Sequence, residues 1–184
     1  MKILIQNAYV LDPSSPLHNT VCDVLIEEGI IKKTGKGLSE KDAMIVNASG
    51  GYLSTGWCDL RAQFGEPGYE PKETLASGAL AAASGGFTAV AITPETHPVL
   101  QSKADIEFVK TKTREFITDV LPYGALTMNS DGLDMTEMYD MHCSGAVAFT
   151  DGNKPVTNSG VMLRSLLYVK NFNGFLAVHA DETS

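Results

Sequence analysis

Apolar and polar positions follow two different rhythms along the chain. Through residues 1–53 the apolar runs are short and strand-like. Ile3-Leu4-Ile5 and Tyr9-Val10-Leu11 flank Gln6-Asn7-Ala8, and Val21 to Glu27 alternates, with Cys22, Val24 and Ile26 opposite Asp23 and Leu25. Asp12 to Thr20 is a polar, proline-bearing loop. Glu28-Gly29 turns the chain into Ile30-Ile31-Lys32-Lys33 as a hairpin, and Met44-Ile45-Val46 is a further short strand. This segment reads as a small β element.

From residue 54 to residue 184 strand and helix patterns alternate. Gly56 to Leu60 is a mostly apolar run that suits a buried strand, and Arg61 to Pro71 is a glycine- and proline-bearing loop. Lys72 to Ser84 is rich in Ala, Leu and Glu and predicts a helix, which Gly85-Gly86 ends. Phe87 to Thr93 is a second buried strand. Helices follow over Ser102–Arg114, where Ile106, Val109 and Lys110 recur at helical spacing, over Met135–His142, and over Ser159–Phe172. In the last of these, Met162, Leu163, Leu166, Leu167 and Val169 give one apolar face. The strands between are Asp119–Leu126, weakened by Pro122, then Ala146–Thr150 and Phe175–His179. Alternation at this spacing predicts an α/β fold with a parallel barrel or open sheet.

Composition narrows the function classes. With 184 residues, 43% of them hydrophobic, the chain can bury one sizeable core. A net charge of -8 counts against a nucleic-acid partner and against an anionic membrane surface. No apolar run approaches the roughly 18 residues of a spanning helix, and MKILIQNAYVLD reads as a strand rather than a secretory segment. Cys22, Cys58 and Cys143 share no metal-like spacing and read as reduced packing residues of a cytoplasmic protein.

Taken alone, the polar residues near the strand ends are ordinary. Asp151-Gly152 and Glu66-Pro67-Gly68 are turns, and His179 is a strand-end histidine. His18, His97 and His142 read as surface residues, and His142-Cys143 has no orienting partner for thiol chemistry. The glycines of Gly85-Gly86 form no GxGxxG loop, so a dinucleotide fold is not indicated.

The run DLRAQFGEPGYEPKETLASGALAAASGGFTAV resembles the signature of dihydroorotases, in the cyclic amidohydrolase superfamily. In that family the first barrel strand ends Asp-x-His-x-His, followed by Arg-Glu-Pro-Gly, a Lys-Glu-Thr helix start and Ala-Gly-Gly-Phe-Thr. Asp59, Glu66-Pro67-Gly68, Lys72-Glu73-Thr74 and Ala83-Ser84-Gly85-Gly86-Phe87-Thr88 keep most of that frame. Arg61 and Gln63 stand at the two histidines, Gly65 at the arginine that holds the substrate carboxylate, and Glu95 at the asparagine of Pro-Asn-Thr. The resemblance implies the amino-terminal part of a (β/α)8 TIM-like amidohydrolase barrel over 54–184, preceded over 1–53 by part of a side β-sandwich. A full barrel needs about 250 residues, so the chain is expected to be incomplete, with open strand edges that favour self-association.

Catalytic members of the family carry zinc, which lowers the pKa of a bound water. Of the ligand positions, Asp151 and His179 survive, whereas a guanidinium at Arg61 has no lone pair to offer and Gln63 is a weak zinc ligand. No metal, no cofactor and no catalytic residue is therefore expected. Arg61 is expected to take the place of the metal, pairing with Asp151 and hydrogen-bonding the His179 ring. The resemblance implies a non-catalytic dihydroorotase-like protein of pyrimidine biosynthesis that assembles with aspartate carbamoyltransferase. The parent reaction is the reversible cyclisation of N-carbamoyl-L-aspartate to dihydroorotate. The alternatives are an active dihydroorotase or related cyclic amidohydrolase with an altered metal site, and a small-molecule sensor using the old pocket.

Overall fold

The short apolar runs at the start of the chain pair into a five-stranded sheet: β1 (Lys2–Leu11), β2 (Val21–Glu27), β3 (Ile30–Gly35), β4 (Met44–Asn47) and β5 (Tyr52–Ser54). The structure is a computed structural model, describes residues 1–181, and divides into two units, Met1–Thr55 and Gly56–Ser184. In the first unit the strand order is β3-β2-β1-β4, with β5 also on β1. The two runs flanking Gln6-Asn7 form one strand, because a bulge between Ile5 and Ala8 absorbs the polar pair, with Asn7 at φ 57°. β2 does not alternate: Cys22, Asp23, Val24 and Leu25 are all buried. The core of this unit is thin, built on Val10, Cys22 and Val24.

In the second unit β6 (Trp57–Ala62), β7 (Phe87–Ile92), β8 (Asp119–Gly124) and β9 (Ala148–Phe149) form a parallel sheet in that order. The helices between them are α1 (Leu75–Ser84), α2 (Lys103–Lys112) and α3 (Met138–Cys143), and α4 (Ser159–Lys170) follows β9. α1 starts three residues later than its composition suggests. Lys72 lies in a turn, its N–H bonded to Tyr69 O (2.9 Å), and Thr74 caps the helix by a reciprocal exchange with Ser77. The helix ends at Gly85, and it is Gly86 that takes the left-handed conformation, at φ +85°. α2 is capped in the same way by Ser102 and Asp105, and Lys110 and Lys112 sit in its last turn, where a cation favours the helix dipole.

Leu75, Ile106, Val109, Val120, Ile92, Leu126 and Phe149 meet between helices and sheet with almost no exposure. Each such side chain contributes about 1.5–3 kcal/mol of burial. Pro122 does not interrupt β8: it is paired with Ile92, and its carbonyl accepts the Val147 N–H (3.0 Å). Two further expectations need correction. The buried stripe of α4 is Val161, Ser165 and Val169, while Leu163, Leu166 and Leu167 are exposed. Ser165 hides this stripe from a hydropathy reading, because its hydroxyl is satisfied locally by Val161 O (2.9 Å). The expected strand Phe175–His179 reduces to one parallel bridge, Phe149 to Leu176, held by Phe149 N to Phe175 O and Ala177 N to Phe149 O, both 2.9 Å.

Candidate functional site

The substituted positions lie at the carboxyl ends of the parallel strands. Between Asp59 and Ala62, β6 carries an extra residue relative to β7, so Arg61 sits in a bulge, its N–H bonded to the Asp59 carboxylate (2.9 Å). Bulges re-aim side chains, and the Arg61 head is directed to the side chain of Asn153, whose oxygen accepts from Nη2. The expected pairing of Arg61 with Asp151 is therefore not formed. Gln63 lies beyond the end of β6, so the same-face rule for alternate strand residues no longer links it to Arg61. Its side-chain oxygen accepts from Lys72 Nζ (3.3 Å).

Asp151 follows β9 and is 3% exposed. Its Oδ1 accepts the N–H groups of Leu126 (3.0 Å) and Thr127 (2.9 Å), and its Oδ2 accepts the Thr127 hydroxyl (2.6 Å). Burial pushes its carboxyl up from the usual range. The Thr127 hydroxyl and the two N–H groups pull it back, and the nearby charge of Asp131 adds to the upward push. Asp151 thus fastens the loop after β8 to the end of β9.

Gly65 is enclosed by its own loop. Its N–H binds Glu73 O (3.1 Å) and its O accepts from Tyr69 N (2.7 Å). A Cβ built there would collide with the carbonyl oxygens of Tyr69 and Glu73, so this loop conformation admits no side chain at residue 65. Glu66 beside it is buried, capping α1 through Leu75 N (2.9 Å) and pairing with Lys112. Glu95, after β7, accepts the Asn153 N–H (3.3 Å). Two of the substituted residues, Arg61 and Glu95, therefore converge on Asn153. No sequence signal marked Asn153, an exposed residue in a polar turn.

Arg61 and His179 line one cavity of about 310 Å³, with Thr93, Tyr123 and Thr150 on its walls. Thr93 is buried and its hydroxyl has no hydrogen-bond partner. Glu95 and Asp151 line a second cavity of about 280 Å³. Gln63 and Gly65 line neither. The residues present do not fit a zinc centre. Among the described residues no three of His, Cys, Asp and Glu converge, Asp151 is already engaged at both oxygens, and a cationic group occupies the bulge of β6. Among the described residues no helix is long and apolar enough to cross a membrane.

Comparison with known proteins agrees with this architecture. A family described as Dihydro-orotase-like matches residues 50–184. A protein named dihydroorotase from Geobacter sulfurreducens is 39% identical over 186 residues, covering 100% of this chain and 44% of its own length. Another of that name from Ruminiclostridium cellulolyticum is 38% identical over 184 residues, covering 99% of this chain and 42% of its own. The chain thus spans about two fifths of the length of these relatives. The L-hydantoinase (dihydropyrimidinase) of Arthrobacter aurescens superposes on 98% of this chain and 41% of its own, with a TM-score of 0.79 at 19% identity. A dihydroorotase crystal structure does so over 98% and 51%, with a TM-score of 0.70 at 15% identity. The fold is the α/β fold expected, the amino-terminal part of an amidohydrolase barrel following a small β unit.

Proposed function

Because the chain belongs to the dihydroorotase-like family, we propose that it is a non-catalytic dihydroorotase-like protein of pyrimidine biosynthesis, a structural subunit that assembles with aspartate carbamoyltransferase. The observation that carries the non-catalytic part is the end of β6. There a guanidinium, engaged with Asn153, stands where the family places imidazoles for zinc. The enclosed Gly65 and the carboxylate of Glu95 support the same reading. The first leaves no room for the arginine that would hold the substrate carboxylate, and the second repels it. The aspartate carbamoyltransferase partner follows from the family resemblance.

The test is metal analysis of the intact protein alongside dihydroorotate ring-opening, and size-exclusion chromatography with the aspartate carbamoyltransferase of the same source. The expected result is no stoichiometric zinc, no turnover and a co-eluting complex. Stoichiometric zinc with ring-opening would replace this reading by the second one, an active dihydroorotase or related cyclic amidohydrolase with an altered metal site. That second reading is favoured by the name carried by relatives 38% and 39% identical and by the survival of Asp151 and His179.

A further inference from the structure

The cavity beside Asp151 presents a combination of groups of which the proposed function uses only Glu95. It measures about 280 Å³, and Glu95, Lys154, Ser130, Val99, Tyr69 and His97 stand on its walls. Ser130 is 4% exposed and its hydroxyl has no hydrogen-bond partner. A buried hydroxyl left unpaired is unfavourable and marks a place for an absent partner. Glu95 receives a hydrogen bond at Oε1 from Asn153 N–H, which leaves Oε2 open. Lys154 forms no ion pair among the described residues, where the pairs involve Lys2, Lys103 and Lys112. Asp151 is a wall rather than a contact, since Leu126 and Thr127 already occupy its oxygens.

An anion and a cation, unpaired with each other, therefore face one space. A metal ion would be repelled by Lys154, and a dianion by Glu95. A molecule carrying both charges satisfies both. The volume lies just below the roughly 300 Å³ at which ligand pockets usually begin, which fits a small metabolite. The rings of Tyr69 and His97, 6.3 Å apart, and the Val99 side chain offer apolar contact beside the charges. We propose that this cavity binds a small zwitterion of the amino-acid class. Its ammonium meets Glu95, its carboxylate meets Lys154, and the Ser130 hydroxyl donates to that carboxylate.

The inference stands whether or not the protein turns over dihydroorotate, and its test uses neither metal nor activity. The intact protein is titrated calorimetrically with L-alanine, with propionate, which lacks the ammonium, and with ethylamine, which lacks the carboxylate. L-Alanine is expected to bind saturably, and each half-molecule at least about tenfold more weakly. Glu95→Gln and Lys154→Met should each weaken L-alanine by about tenfold, and Ser130→Ala by a few-fold. Lys154 is exposed, so its variant tests the idea even if the Ser130 variant fails to fold. Propionate or ethylamine binding as tightly as L-alanine would overturn the proposal. So would L-alanine binding that Lys154→Met and Glu95→Gln leave unchanged, or no saturable heat from a protein whose melting curve shows it folded.

Discussion

Asp23 in β2 of the first unit and Asp151 after β9 of the second are 5% and 3% exposed, and each accepts two backbone N–H groups from residues distant in sequence. Their carboxyls nevertheless move in opposite directions. Asp23 is held below the usual range by the N–H groups of Asn7 (2.8 Å) and Leu38 (2.9 Å), in that order of effect. Asp151 is pushed above it, because burial outweighs three hydrogen bonds of similar or better geometry. The difference lies in what surrounds the hydrogen bonds. The first unit has a thin core of Val10, Cys22 and Val24, so few apolar groups surround Asp23, whereas Asp151 adjoins the larger cluster of the second unit at Leu126 and Phe149. Hydrogen bonds to a carboxylate fix its position in both places, but the balance between them and desolvation decides the direction in which its pKa moves.

The sharpest test of this contrast removes each carboxylate in turn. Asp151→Ala leaves two buried N–H groups and the Thr127 hydroxyl without their acceptor, and should cost about 3 kcal/mol. Denaturant unfolding followed by Trp57, the single tryptophan and a residue of the same unit, reads that loss directly. Asp23→Ala strands Asn7 N–H and Leu38 N–H nearer the surface and should cost less. A larger loss from Asp23 than from Asp151 would break the comparison. Thr127→Val comes next, at about 1–2 kcal/mol. It removes the hydrogen bond that most lowers the Asp151 carboxyl and should move that group still further up, as read by its carboxyl carbon shift across a pH titration.

The pH dependence of stability follows from the same shifts. For Asp151, with its folded pKa raised, the favourable contribution is complete below the unfolded value of about 3.9 and is lost as pH rises through the folded pKa. For Asp23, with its folded pKa lowered, the contribution is present above about 3.9 and is lost as pH falls through the folded pKa. Acidification should first raise stability through Asp151 and then lower it through Asp23. Asp151→Asn should flatten only the upper limb and Asp23→Asn only the lower one, each measured as the change in unfolding free energy with pH. Reversed assignments would show that depth does not govern the contrast.

Much of the frame around these two residues was legible in the sequence. The strand runs, the alternation of α and β, and the family signature around Glu66-Pro67-Gly68 depend on local propensity and turn chemistry, which a sequence carries. What was hidden depends on tertiary contact. Tyr52–Ser54 is too short to announce a strand, and it becomes one only by lying on β1. The α4 stripe passes through Ser165, so three exposed leucines attracted the assignment instead. Asp23 looked like the polar half of an alternating strand, yet it turns inward to hold the β1 bulge at Asn7. The resemblance makes Asp151 a ligand position, whereas tertiary contact commits its oxygens to Leu126 and Thr127. Arg61 was misdirected for a similar reason: alternate-residue facing assumes a regular strand, and the bulge between Asp59 and Ala62 breaks it.

Arg61 therefore supplies the smallest predicted effect and a direct check on the independence of Asp151. Its head is exposed and its contact with Asn153 is a surface one, so Arg61→Ala should change stability by no more than about 1 kcal/mol. Because Asp151 takes its upward shift from burial and from Asp131, with no contribution from Arg61, the upper limb of the pH profile should be the same in Arg61→Ala as in the parent protein. If that limb instead steepened or moved to higher pH, the guanidinium would be acting on the Asp151 carboxylate after all. The bulge would then have failed to turn it away, and Arg61 would again be a candidate to replace the metal.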